Sequence, residues 1–307
     1  MAGSPYGTAS LALTAAAATG VQVGAAMVAT RFVVGEIGPA SLALLRYAIG
    51  VLCLLPFILL VRPHVRMPPR DLVPIALLGV AQFGLLIALL NWGLARVPAA
   101  RGALVFACFP LLTMLVAASL GRERLTPGKT LGVALTVAGV GVALGEGGTA
   151  SGAGHDLVGE GAVLAAALCG AVCSVLYRPY LQRHPALPVG AVAMLASVAA
   201  LAVAAGVAEG FFQAPPHLTP GGWLAVVFIG ASSGVGYVLW LWALGHASPT
   251  RVTVFLALSP VTALVLGAML LGEPAGVNLV AGVLLLGAGL WVATRGGEEG
   301  SNRVGTR

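Results

Sequence analysis

One half of this chain repeats the other at a fixed spacing, and any fold must accommodate that duplication. The repeat is clearest between residues 79–145 and 229–295, where matched residues stand 150 positions apart without a gap. The matches that the alanine- and glycine-rich composition explains least are Trp92, Arg101, Pro110 and Glu123, which return as Trp242, Arg251, Pro260 and Glu273. The spacing predicts two copies of one structural unit.

Composition places both copies in a membrane. Hydrophobic residues make up 59% of the 307 residues and charged residues only 8%, against about 25% charged in soluble domains. The net charge of +6 is confined to short gaps between apolar runs, so it does not indicate nucleic-acid binding. Ten runs are long enough to cross a bilayer: residues 10–33, 39–61, 72–95, 101–121 and 128–145, then 158–177, 187–208, 223–245, 252–271 and 277–294.

The ten spans divide into two sets of five. We expect the first copy to occupy residues 1–146 and the second 147–307, with a Gly/Ser-rich linker at 146–156. Because five is odd, the second copy must enter the bilayer inverted. With a cytoplasmic N-terminus, twelve of the sixteen Lys and Arg residues fall on the cytoplasmic side, as the positive-inside rule requires. The prediction is a multi-pass protein of a bacterial inner membrane with both termini in the cytoplasm.

An all-α membrane protein built from inverted repeats is typical of carriers, which hold the substrate near the midplane where the halves meet. We therefore predict an alternating-access transporter, and not an enzyme. Its expected partners are a small-molecule substrate and the lipid bilayer, and we expect a monomer. The four cysteines lie in apolar runs without a disulfide framework or a zinc-ligand spacing, so neither a metal nor a cofactor is expected.

Short motifs in both copies resemble the EamA domain of the drug/metabolite transporter superfamily. The first copy has a proline in the fourth span, the run Leu-Gly-Arg-Glu-Arg-Leu at 120–125, and Gly132 and Gly139; the second has Ser-Pro at 259–260 and Leu-Gly-Glu-Pro at 271–274. Arg46 resembles the family's arginine in the second span. The resemblance covers essentially the whole chain. It implies ten helices in a basket around a cavity lined mainly by spans 1, 3, 4, 6, 8 and 9, and size and topology resemble the YddG-type exporters of aromatic amino acids.

Polar and aromatic residues at mid-depth in those spans are the candidate substrate contacts. An unpaired amide in hydrocarbon costs several kcal/mol, so Gln22 and Gln82 are expected to face a cavity or a neighbouring helix. Helical spacing puts rings and hydroxyls on shared faces of spans 4, 8 and 9. Such faces suit a neutral or zwitterionic molecule with an apolar side chain, and they also arise in ordinary packing. The full set is Gln22, Gln82, Phe106, Phe109, Ser233, Tyr237, Trp240, Phe255, Ser259 and Thr262.

Two prolines and three charged residues are candidates for gating. Pro110 and Pro260 cannot donate hydrogen bonds within their helices, so each is predicted to mark a hinge or a static kink. Arg46 is the one strongly ionised side chain inside a span, where it either reaches helix carbonyls or meets a carboxylate or phosphate. Glu123 and Glu273, at matched span ends, are expected to serve structure or gating.

The predicted function is export of amino acids, aromatic or other large neutral, and of related small metabolites. A carrier of other metabolites or drugs is the alternative. No Asp or Glu lies at mid-depth in a span, so we expect movement down a substrate gradient without carboxylate-based proton exchange. A remote alternative is an intramembrane serine protease, suggested by Gly-x-Ser-x-Gly at 230–234. However, His246 lies roughly 21 Å along the same helix from Ser232, too far to be its base.

Overall fold

The protein is all-helical in a computed structural model that describes residues 5–61, 67–122, 127–144, 156–273 and 276–302. The first half contains α1 (Pro5–Val33), α2 (Pro39–Val61), α3 (Pro69–Gly79), a π-helical segment (Val80–Leu85), α4 (Leu86–Leu94), α5 (Ala99–Phe106), α6 (Phe109–Ser119) and α7 (Pro127–Leu144). The second contains α8 (Leu157–Leu181), α9 (Ala186–Ala208), α10 (Pro220–His246), α11 (Pro249–Thr253), a 3-10 segment (Val254–Ala257), α12 (Leu258–Leu271) and α13 (Val277–Asn302).

Eight helical stretches of the described chain are long and apolar enough to cross a membrane. They are Leu11–Val33, Pro39–Pro56, Pro69–Leu94, Ala99–Ser119, Leu157–Leu181, Ala186–Ala208, Pro220–His246 and Pro249–Leu271. The two remaining expected spans coincide with α7 and α13, which carry the shorter apolar stretches Thr130–Gly139 and Val280–Gly289. The all-α, ten-span architecture predicted from the sequence is therefore confirmed.

Prolines set where many of these helices begin. α2, α3, α7, α10 and α11 each start with proline, whose missing N–H would be unpaired in the first turn of any helix. The third and ninth spans accordingly begin at Pro69 and Pro249, three residues before the predicted starts at 72 and 252. The predicted starts were late because Asp71 and Arg251 interrupt the apolar runs, although both residues are helical.

Glycines end the fourth and ninth spans in the same way. Gly121 and Gly272 have φ angles of 63° and 65°, the left-handed conformation that glycine adopts at least cost. After this turn the Glu273 N–H donates to the Gly267 carbonyl at 3.2 Å, and the Glu273 carboxylate accepts from the Ala99 N–H at the start of α5, at 3.1 Å. The paired Leu-Gly motifs of the repeat are thus matched helix ends.

Both spans with a repeated proline are broken beside it. α5 ends at Phe106 and α6 restarts at Phe109, with Pro110 in its first turn. In the ninth span the 3-10 segment precedes α12, whose first turn contains Pro260. A proline in a first turn leaves no helical hydrogen bond unmade, so these are the positions where a span can be interrupted at low cost. Motion at the two breaks stays a prediction.

α7 and α13 pack on each other through the glycines that the repeat conserves between its copies. A Cβ at Gly139 would lie 2.7 Å from the Gly282 carbonyl oxygen, and one at Gly289 would lie 2.6 Å from that of Gly132. Such small-residue contacts let two membrane helices approach closely. Neither helix contributes to the central cavity described below, so this pair lies to one side of it.

Candidate functional site

A cavity lies between the two halves near the middle of the spans. Its walls come from α1, α2, the third and fourth spans, α10 and the 3-10 segment of the ninth span. The space open to the centres of water-sized molecules is about 40 Å³, room for a few waters and too little for an amino acid. The cavity is therefore narrow. Six of the ten predicted substrate contacts line it: Gln22, Gln82, Phe106, Phe109, Tyr237 and Trp240.

Aromatic rings form one side of the cavity. The Phe106 and Phe109 rings lie 5.3 Å apart, and Trp240 meets Phe109 edge-on at 6.2 Å. Gly170 of α8 gives Phe109 its space, because a Cβ at that position would collide with the Phe109 ring. The ring therefore stands between α8 and the cavity. For this reason the sixth span, which the resemblance assigned to the wall, contributes no lining residue in the described chain.

A buried aromatic cluster joins the halves beside the cavity. The hydroxyls of Tyr47 and Tyr237 are 2.9 Å apart, and the Phe83 ring packs on both, at 5.3 and 4.4 Å between centroids. Tyr47 and Phe83 have no exposed surface. Sequence reasoning did not select them, because each follows a polar residue in an apolar run and looks like ordinary core. They hold Tyr237 at the cavity wall.

Arg46 is the charged group of the cavity. Only 4% of its surface is exposed, and its Nε donates to the Ser233 hydroxyl at 2.8 Å. Its guanidinium lies 5.8 Å from the centroid of the Tyr47 ring. The described residues that line the cavity include no carboxylate. Since a buried guanidinium is costly without a partner, the cavity favours an anion beside Arg46. The second span therefore adds to the wall, which the resemblance did not imply.

Gln82 presents an amide without a partner to the same space. It is 4% exposed, and no described residue bonds its Oε1. Its position in the π-helical segment is notable because such wide turns frequently occur at functional sites. The Cys169 thiol of α8 donates to the Ala81 carbonyl in this segment at 3.3 Å. Gln22, across the cavity, already donates to the Ser232 hydroxyl at 3.3 Å.

Four predicted contacts do not line the cavity: Ser233, which bonds Arg46, and three residues of the ninth span. Phe255, Ser259 and Thr262 pack against α1, where two glycines admit the backbone of the ninth span. The Ser259 hydroxyl donates to the Leu256 carbonyl at 2.7 Å, in the 3-10 segment that precedes α12. These side chains therefore supply a hydrogen bond and packing contacts where the helix is broken. Their contact with substrate stays a prediction for another conformation.

One face of the bundle joins the halves through carboxylates. Glu273 bonds the start of α5, as described above. On the same face, the Glu36 carboxylate accepts a hydrogen bond from the Thr219 N–H at the start of α10, at 2.8 Å. Glu209 likewise bonds the start of α2. Carboxylates suit these positions because the first N–H groups of a helix lack partners and carry partial positive charge. The repeat partner of Glu273, Glu123, lies outside the described residues.

The opposite face carries the pseudo-symmetric counterpart of the Glu36 contact. The loop after the first span reaches the start of the eighth through Glu36, and the loop after the sixth span reaches the start of the third. There Asp71 accepts from Arg183 at 3.2 Å and lies 2.8 Å from His184 Nε2. Each face therefore has one such contact between the halves, related by the inverted repeat.

The Gly-x-Ser-x-Gly run has a packing explanation. A Cβ at Gly234 would lie 2.8 Å from the Gly50 carbonyl oxygen of α2, and one at Gly230 would lie 2.6 Å from the Ile49 Cβ. The glycines therefore allow α10 to cross α2 closely. The hydroxyl of the motif serine, Ser232, bonds Gln22 in the cavity wall.

Known proteins resemble the chain over most of its length. It matches the EamA-like transporter family at residues 10–145 and again at 157–295. It is 34% identical over 218 residues to a probable terminal-alkyne amino-acid exporter of Streptantibioticus cattleyicolor, covering 70% of this chain and 71% of that protein. It is 30% identical over 241 residues to the uncharacterized inner membrane transporter YedA of Escherichia coli (strain K12), covering 76% and 74%.

The fold has a solved counterpart. A crystal structure with 25% sequence identity superposes with a TM-score of 0.72, over 92% of this chain and 96% of that one. The family matches both copies of the internal repeat, and its members are transporters of small molecules across membranes. The protein is a multi-pass membrane transporter, and the chain belongs to the EamA-like transporter family.

Proposed function

We propose that this transporter exports amino acids with apolar side chains, aromatic or other large neutral, from the cytoplasm. The observation that carries the proposal is the Arg46 guanidinium, which has no carboxylate partner among the described residues and faces a cavity walled mainly by aromatic and aliphatic side chains. A substrate α-carboxylate would bond the guanidinium, a pairing favoured by charge and by planar geometry. The substrate side chain would then pack on Phe106, Phe109 and Trp240.

The ammonium group of such a substrate has neutral acceptors. The Gln82 Oε1 is unpartnered in the wall, and the face of the Trp240 ring can attract a cation. These groups are weaker partners for an ammonium than a carboxylate would be. They allow a zwitterion to bind in one orientation, with its charged end toward α2 and the third span and its apolar end toward the fourth.

The relatives support this substrate class. The exporter of Streptantibioticus cattleyicolor is named for terminal-alkyne amino acids, which combine an amino-acid head with a compact apolar end. The same combination of a cation and an apolar wall would accept such a molecule. Carriage of other metabolites or drugs is the second candidate, since relatives of comparable similarity are named only as transporters.

Alternating access would move the two halves, residues 1–146 and 147–307, against each other. The helix breaks at Pro110 and Pro260 supply positions that can bend, and the contacts between the halves on the two faces supply links that can open in turn. With both termini in the cytoplasm, the face of Glu36, Glu209 and Glu273 is the outer one. A monomer is sufficient, because one chain supplies the whole cavity wall.

Counterflow into proteoliposomes tests the function. Vesicles loaded with unlabelled substrate and given the same labelled substrate outside would be assayed with large neutral amino acids, sugars and organic cations. We expect accumulation of label with the amino acids and its loss in Arg46→Gln. Arg96→Gln is the matched control, because Arg96 is an exposed arginine away from the cavity that pairs with Asp156 at 3.7 Å. Counterflow only with sugars or cations would instead support the second candidate.

A further inference from the structure

The charged groups around the cavity point to a substrate class beyond amino acids. We infer that the cavity selects for net negative charge, so that carboxylates with an apolar side chain and no ammonium group, such as branched 2-oxo acids, are also substrates. The inference rests on the proposed function, because it concerns the same cavity. It adds that the ammonium group is dispensable for recognition and the carboxylate is not.

No described residue of the cavity wall compensates the positive charge of Arg46. The acidic residues described within 5–273 all lie toward the two faces of the bundle, where each accepts from a helix N-terminus or pairs with a cation. They are Glu36, Asp71, Asp156, Glu160, Glu209 and Glu273. Among the described residues, the side chain of Arg46 bonds the neutral hydroxyl of Ser233 alone. The cavity therefore keeps one positive charge until a ligand arrives.

Ligands of different net charge should bind beside Arg46 with different affinity. A monoanion cancels the Arg46 charge when the cavity closes around it. A zwitterion cancels the same charge with its carboxylate but brings an ammonium into a space that holds a like charge within a few ångströms, and exclusion of water strengthens that repulsion. A cation with the same side chain adds a second positive charge and offers Arg46 no acceptor. The expected order of binding is anion at or above zwitterion, and cation far below.

The cavity wall can bond a 2-oxo group as readily as an ammonium group. The Gln82 Oε1 has no hydrogen-bond partner among the described residues, so no such bond fixes that end of the amide. An amide offers two N–H donors at one end and an acceptor oxygen at the other. By turning its side chain, Gln82 can donate to an oxo oxygen beside a carboxylate held by Arg46. The apolar end would lie against Phe106, Phe109 and Trp240, as for an amino acid.

Three molecules with one side chain separate these possibilities. 4-Methyl-2-oxopentanoate is an anion, leucine is a zwitterion and leucinamide is a cation, and all three share the isobutyl group. Each would compete with labelled leucine in counterflow, and each would be added to the purified transporter during thermal unfolding. We expect the oxo acid to reach half-inhibition at or below the leucine concentration, and leucinamide to require at least about tenfold more, the loss typical of a missing charge-assisted contact.

Variants of Arg46 show whether the guanidinium charge sets the order. Arg46→Lys keeps the charge and should keep the order in both assays. Arg46→Gln is not expected to support counterflow, and in this variant the oxo acid, leucine and leucinamide should no longer differ in how far they shift the unfolding midpoint. Unfolding midpoints without ligand confirm that both variants fold. Leucine counterflow without competition by the oxo acid would overturn the inference and leave amino-acid export standing. Should leucine itself not exchange, thermal stabilisation decides: a shift with the oxo acid but not with leucinamide upholds the inference, and any other pattern overturns it.

Discussion

The Glu209 carboxylate accepts a hydrogen bond from the Ala40 N–H at 2.9 Å, and so ties the end of α9 in the second half to the start of α2 in the first. Its other oxygen accepts from the Ser41 N–H at 2.8 Å. Gly38 leaves room for it in this position, because a Cβ there would displace the carboxylate. Two otherwise unpaired N–H groups and the helix dipole are thus satisfied by one side chain from the opposite half.

Neutralising this carboxylate should destabilise the fold measurably. Glu209→Gln keeps one acceptor oxygen and loses the charge at the helix start, so we expect a loss of about 1 kcal/mol and a fall of a few degrees in the unfolding midpoint in detergent. His217→Gln, on an exposed loop of the same face, should unfold like the natural protein. A Glu209→Gln midpoint equal to that of the control would contradict a stabilising role for the contact.

Ser233→Ala should weaken substrate binding without removing the cation. Arg46 would lose its hydrogen bond to Ser233 and become less well oriented, so we expect the KM for counterflow to rise by roughly tenfold or more, the range of one hydrogen bond to a charged group. Ser232→Ala is the matched control on the next residue, whose hydroxyl contacts Gln22 instead. Equal effects in both variants would argue against a specific role for the Arg46 contact.

The helix breaks can be tested by restoring a backbone donor. Pro110→Ala and Pro260→Ala allow a continuous helix, so a gating role predicts slower transport at an unchanged membrane level. Pro56→Ala changes a proline inside α2 that lies at no break and should leave the rate nearly unaltered. Normal rates in both test variants would make the two breaks static features of packing.

Membrane orientation follows from labelling with an impermeant thiol reagent. In a variant without Cys53, Cys108, Cys169 and Cys173, which are all free thiols, a cysteine at His217 should react in intact cells. A cysteine at Gln182, in the loop after the sixth span, should react only after the membrane is opened. The reverse pattern would place both termini outside the cytoplasm and invert the proposed direction of the two faces.

Exchange should need no imposed proton gradient. The described wall of the cavity lacks an acid that could change its charge while facing the substrate, so counterflow is expected to proceed at equal pH on both sides. Neutralising Glu273, which bonds the start of α5, should reduce assembly more than coupling. Accumulation against a gradient that depends on an imposed pH difference, and disappears with an ionophore, would instead require a coupled proton.

Sequence patterns were sufficient to predict the features that depend on residues close together in the chain. The apolar runs, the matched glycines and the helix breaks near Pro110 and Pro260 all follow from period, composition and backbone chemistry. The selection of Gln82 also needed only the cost of a buried amide. Six of ten proposed contacts consequently lie on one cavity wall.

The remaining features depend on contacts between helices far apart in sequence. Phe255 and Thr262 share a helical face with polar character, but glycines of α1 bring another backbone onto that face. The sixth span is kept from the cavity by a ring that fits only because residue 170 is glycine. Arg46 could be recognised as unusual from the sequence, whereas its lack of an acidic partner became visible only with the walls in place.

The π-helical segment makes the cavity lining of the third span sensitive to the gain or loss of a single residue. A π turn accommodates one residue more than an α turn, so deleting one residue between Val80 and Leu85 would restore the ordinary register. Because the wide turn absorbs the extra residue locally, the helix on either side would keep its orientation. Leu86 and Leu90 would stay in the cavity wall, and the change would be confined to the turn that carries Gln82. A single codon gained or lost here could therefore change the cavity beside Gln82 in one evolutionary step.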